Sequence, residues 1–133
     1  MIKRLLKSIQ LNVLLDTEGL TQEAVVRLLP PLRKHLALLD KMPLVANQAA
    51  PVVIDEVFPE RLQDQALLLY RAYRKKLDLP PSEAVMRLLF LRLPAAWIPE
   101  EHATDKAALV EEACSVGIEV DLVQWEVQHA EFS

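Results

Sequence analysis

The residues of this 133-residue chain with chemistry to offer are three histidines, one cysteine and several neighbouring carboxylates. Glu101, His102 and Asp105 stand together at the end of a proline-bounded stretch, residues 94–103, and could supply one nitrogen and two oxygens to a divalent cation. No HxH, HExxH or second cysteine accompanies them, so no metal is assigned. His129, with Glu126 and Glu131, is a weaker version of the same arrangement, and His35, among Arg33, Lys34 and Leu36, reads as an exposed helix residue. Cys114 would act as a nucleophile only with a histidine brought close by the fold. It lies four residues after Val110 on the apolar side of an acidic segment, which predicts a small buried hydrophobe, and Glu111 and Glu112 disfavour its thiolate. Glu111–Glu112 and Asp55–Glu56 are adjacent in sequence and do not face each other across a cleft. With glycine only at Gly19 and Gly117, no glycine-rich phosphate loop can be written. The expectation is a protein without catalytic residues, metal or cofactor, and not an enzyme.

Charge offers more. The net charge is −4, but residues 61–92 hold seven basic and three acidic side chains, whereas residues 93–133 hold Lys106 alone against nine acids. Arg71, Arg74 and Lys75, at i, i+3 and i+4, share one side of a helix and form a stripe able to contact phosphates. Lys3, Arg4 and Lys7 give the segment Met1–Leu20 a basic side. Its interrupted apolar residues, closed by Asp16 and Glu18, predict an amphipathic helix rather than a signal peptide. Three cations with no aromatic anchor give that segment little hold on an anionic membrane by itself.

The elements that must position these groups follow from periodicity and from nine prolines. Hydrophobic residues make up 52% of the chain and aromatic ones only 5%, so the core is aliphatic and disorder is excluded for most of its length. Residues 1–133 are expected to form a single helical domain. Its parts are N-terminal helices over 1–42, a connector over 43–59, and over 60–133 a central helical pair with an acidic C-terminal segment. Within the first part, one helix should end by Leu29 and Pro31 should open another. Leu62, Ala66, Leu69, Tyr70, Tyr73 and Leu77 share one arc of a helix from Glu60 to Asp78, while Leu67 and Leu68 project from its polar flanks. Ser82 can cap a helix to Leu93 that is apolar nearly all round and therefore buried all round. Thr104 or Asp105 starts a helix to Val116, stopped by Gly117. Two short strands are expected at 52–57, where Val52, Val53 and Ile54 are β-branched, and at 117–123, where apolar and acidic residues alternate. The fold class is mainly α, a compact bundle of five or six short helices. A lone cysteine and the lack of a long apolar stretch point to the cytoplasm and to no membrane span.

Residues 75–93, KKLDLPPSEAVMRLLFLRL, resemble the second helix and its lead-in in ribbon-helix-helix repressors and antitoxins, where a Ser- or Thr-capped leucine-rich helix follows a Leu-x-Leu turn. The resemblance implies an obligate dimer in which Val52-Val53-Ile54 is the DNA-reading strand, with Arg71, Arg74 and Lys75 available to phosphates. The primary expectation is different. Leu67, Leu68 and Tyr70, with Trp97 and Ile98 in an exposed-looking loop, exceed what a monomer conveniently hides, and such surplus marks partner sites. The chain is therefore read as a non-enzymatic protein–protein interaction module, a small cytosolic adaptor, regulator or accessory subunit, with a homodimer as its first candidate assembly.

Overall fold

A computed structural model describes residues 22–98 and 105–127. It is mainly helical: α1 Gln22–Leu39, α2 Pro43–Val57, α3 Glu60–Lys76, α4 Pro81–Arg92, a 3-10 turn Ala95–Trp97, α5 Lys106–Ser115 and α6 Leu122–Trp125. No strand occurs among the described residues. The N-terminal segment Met1–Leu20 and the residues Glu101, His102, His129 and Glu131 lie outside them.

The bundle is organised around α4. Leu88, Leu89, Phe90 and Leu91 follow one another without a break and are all buried, as are Ala84, Val85 and Met86. A helix apolar nearly all round needs neighbours on nearly every side, and α1, α2, α3, α5 and α6 all pack against it. α3 supplies the arc expected of it, with Leu62, Ala66, Leu69, Tyr70 and Tyr73 buried. Its end is set by Asp78, whose φ of 53° places a non-glycine residue in the left-handed region. There the Leu79 N–H donates back to the Tyr73 carbonyl at 3.2 Å. α5 stops where Gly117 takes a φ of 95°, a conformation that L side chains rarely adopt, and the Ile118 N–H returns to the Ala113 carbonyl at 3.0 Å.

Three expectations are overturned, the first two by the same physics. The connector 43–59 is instead helix α2, and Val52, Val53 and Ile54 lie inside it rather than in a strand. Ala46, Ala49, Ala50, Val53 and Ile54 are buried at three- and four-residue spacing, so burial of one helical face outweighs the local β preference of three branched residues. Similarly, α1 runs unbroken through Pro30 and Pro31, where a stop and a new start were expected. Val25, Leu29, Leu32, Leu36 and Leu39 form a single buried stripe across the proline pair. Both prolines are exposed, and the carbonyls they deprive of a donor belong to Val26 and Arg27, which are also exposed and can be hydrated. The stretch 117–123 is likewise no strand: it is irregular as far as Asp121, which caps α6 by accepting from the Val123 N–H at 3.0 Å.

Candidate functional site

α3 turns its polar side outward as a row of Asp64, Leu68, Arg71 and Lys75, all exposed. Leu68 is 55% exposed, and the spacing of the four residues places the charged ones around it on one helix face. Leu67, one residue before it, is half-buried against the core. The other members of the expected contact surface are placed differently. Tyr70 is 4% exposed and Trp97 8%, so both belong to the core, and Ile98 is half-buried against it. Trp97 is drawn inward because Ala95–Trp97 winds into a turn, with the Trp97 N–H donating to the Pro94 carbonyl at 2.9 Å.

The basic stripe is also partly consumed. The Arg74 guanidinium donates to the Leu79 carbonyl at 2.7 Å and closes the end of its own helix. Arg71 and Lys75 stay exposed. The ribbon-helix-helix resemblance needs an extended strand at Val52–Ile54, and that run is helical.

On a neighbouring side of α3, Arg61 and Gln65 hold the C-terminal segment. Gln65 donates to the Glu119 carbonyl at 2.8 Å and accepts from the Trp125 indole N–H at 2.7 Å, while Arg61 donates to the Gln124 carbonyl at 2.9 Å. Between these contacts lies an open indentation of about 410 Å³ lined by Gln65, Glu119, Val120, Asp121 and Gln124. Its polar groups are largely engaged in holding the segment.

Two charged clusters flank the start of α4. Asp40, in the turn after α1, accepts from the Ser82 N–H at 2.9 Å and from the Ser82 hydroxyl at 2.6 Å. It caps α4 from 42 positions away, so Ser82 is not the cap but the capped residue. Glu83 accepts from Arg33 of α1 at 2.6 Å and from Arg87 at 3.2 Å, and Arg87 reaches Glu112 of α5 at 2.7 Å. Glu83 and Glu112 are each answered by a guanidinium, which ties three helices together. Tyr70 and Tyr73 extend from α3 toward this region. Burial raises both phenols above their ordinary value, Tyr73 further by Glu112, and the charge of Arg74 offsets part of the rise at Tyr70. The Tyr73 hydroxyl is buried and makes no hydrogen bond.

At the other end of α4, buried Arg92 donates to the Trp125 carbonyl at 2.8 Å and stands 5.6 Å from the centroid of the Phe58 ring. Trp125 meets Phe58 edge-on at 5.4 Å. Lys106 donates to the Phe90 carbonyl and pairs with Glu126 at 3.2 Å, while burial lowers its pKa and Glu126 opposes the shift. None of these contacts carries a sequence signal, because each joins residues distant in the chain.

Cys114 is exposed, not buried as expected. α5 rests on Leu109, Ala113 and Val116, and one residue beyond Ala113 the helix has turned about 100° away from that face. Asp105 is occupied as the cap of α5, accepting from the Ala107 N–H at 2.9 Å. Among the described residues no cluster of three histidine, cysteine or carboxylate side chains is placed to hold a metal ion, and no helix is long and apolar enough to cross a membrane. The chain matches no family model, no curated protein and no solved structure.

Proposed function

We propose that this protein is a non-enzymatic interaction module, a small cytosolic adaptor, regulator or accessory subunit, and that the outer row of α3 is where it meets a protein partner. The observation that carries this reading is Leu68, exposed to 55% within a frame of Asp64, Arg71 and Lys75. An apolar anchor inside a polar rim is the layout of interface hot spots, where the rim excludes water and the anchor supplies the energy. The first partner proposed is a second copy of the chain, since one residue on a helix face can meet its own counterpart across a two-fold axis. A reducing compartment suits the exposed thiol of Cys114.

Light scattering across a concentration series tests this directly. The expected result is a dimer of about twice 15.1 kDa that dissociates in Leu68→Glu with its helical circular dichroism intact. Exposed Leu68 can change without opening the core, so a variant that keeps both fold and dimer removes α3 from the interface. A wild-type monomer at every concentration removes the self-partner.

A further inference from the structure

The outer side of α1 carries a pattern that the α3 row does not. Arg27, Pro31, Lys34, Leu38 and Lys41 follow at four- and three-residue steps, which places them along one ridge of α1 and its closing turn. All five are exposed. Cation and apolar group alternate along it, over roughly 20 Å at 1.5 Å per residue. Leu38 on this ridge is 53% exposed, and immediately past the turn in the chain Leu44 is 79% exposed and Val45 is also exposed. Arg27, Lys34 and Lys41 make no ion pair among the described residues, in contrast to Arg33 on the flank of the same helix. Asp40, next to Lys41 in the chain, is committed to Ser82, and exposed Glu23, four residues before Arg27, is the one acid at the start of the ridge.

We propose that this ridge is a docking surface for an anionic lipid bilayer, with Arg27, Lys34 and Lys41 at the phosphate level and Leu38, Leu44 and Val45 entering the hydrocarbon boundary. The interleaving of the two residue types selects this occupant. A nucleic acid backbone would satisfy the cations and leave the leucines facing phosphates. A partner helix would have to bury Lys34 at the middle of its seam. A bilayer interface offers fixed negative charge with accessible hydrocarbon just beneath, which is what an amphipathic helix lying in the interface uses. The charge distribution of the whole chain orients it the same way. Six of the nine acids of residues 93–133 are among the described residues, on or beside α5 and α6, which pack on α4, and repulsion favours turning those helices away from an anionic surface.

The test is co-sedimentation of the full chain with vesicles of phosphatidylcholine alone and of phosphatidylcholine mixed with phosphatidylglycerol. Binding is expected only to the mixed vesicles and is expected to weaken with salt. Each cation removed should weaken the partition about fivefold, so the triple variant Arg27→Glu, Lys34→Glu, Lys41→Glu should lose at least about a hundredfold. Leu44→Ser, at a site too exposed to disturb the core, should weaken binding while preserving its salt dependence. Equal binding to both vesicle types, or none to either, overturns the proposal. So does binding that survives the triple variant, since Lys3, Arg4 and Lys7 would then be holding the membrane. A triple variant that loses duplex DNA binding while vesicle binding is unchanged assigns the ridge to nucleic acid instead. The result is independent of whether Leu68 mediates self-association.

Discussion

At the first turn of α4, Asp40 and Glu83 bring negative charge to the positive end of the helix dipole; at its last turn, Arg92 and Lys106 bring positive charge to the negative end. The sign logic is the same and the setting is opposite. Glu83 and its guanidinium partners are about a quarter to a third exposed, so water screens them and each pair contributes little. Arg92 is buried and Lys106 nearly so; each donates to a backbone carbonyl, and Arg92 does so over the Phe58 ring. A buried cation without its hydrogen bonds is far more costly than an exposed one. One end of α4 is therefore adjustable and the other is locked.

The largest test of that contrast is Trp125→Ala. It removes a fully buried ring from Phe58 and the Gln65 bond together, and should cost about 3–5 kcal/mol in chemical denaturation. A loss no larger than that of an exposed ion pair would make the two ends equivalent.

Alkaline pH probes the first end next. Tyr70 and Tyr73 are the two tyrosines of the chain, and both phenols are held above their ordinary 10.0. Above that pH the unfolded chain has released protons that the folded chain retains, so stability falls as pH rises, by about 1.4 kcal/mol per unit for each tyrosine still protonated. The Tyr73 phenolate should therefore appear together with unfolding and not before it, and Tyr73→Phe should make the fall of stability with pH shallower. Lys106 acts with the opposite sign. Its folded value lies below 10.5, so the fold gains stability as pH rises through that window and the gain is complete once the unfolded lysine has also lost its proton. Phenolate signal in the folded protein near pH 10 would place the hydroxyls in contact with water.

The smallest effect is expected from Asp40→Ala. Loss of a cap costs about 1 kcal/mol, and the N–H and hydroxyl of Ser82 lie at the adjustable end. Urea midpoints at equal m-value read the change. A loss approaching that of Trp125→Ala would show that the first end is locked as well.

The sequence carried what is local. The arc of α3, the largely apolar α4 and the start of α5 at Thr104 or Asp105 were legible because each depends on spacing within about one or two turns. The mainly α class followed from the same spacing. Prolines misled in α1 and α2 because a proline's cost is small where the orphaned carbonyl is exposed, and solvent exposure is a tertiary property. The outward placement of Leu68 was legible from its angle on α3 alone. The inward placement of Tyr70 agrees with its arc; its expected place beside Leu68 at a contact surface rested on residue type and not on geometry. Trp97 turned inward through a turn that no periodicity announces, and Asp40–Ser82 and Arg92–Trp125 join positions that only the fold brings together.

The clasp formed by Trp125 also bears on the order in which the molecule is made. A ribosome delivers α1 to α4 well before residue 125, and domains generally fold as units. Until Trp125 arrives, the Phe58 ring lacks its edge-on partner, the Arg92 guanidinium lacks the Trp125 carbonyl, and Gln65 lacks the indole N–H. The last turn of α4 is therefore an open seam on the nascent chain, closed only by the segment synthesised after it.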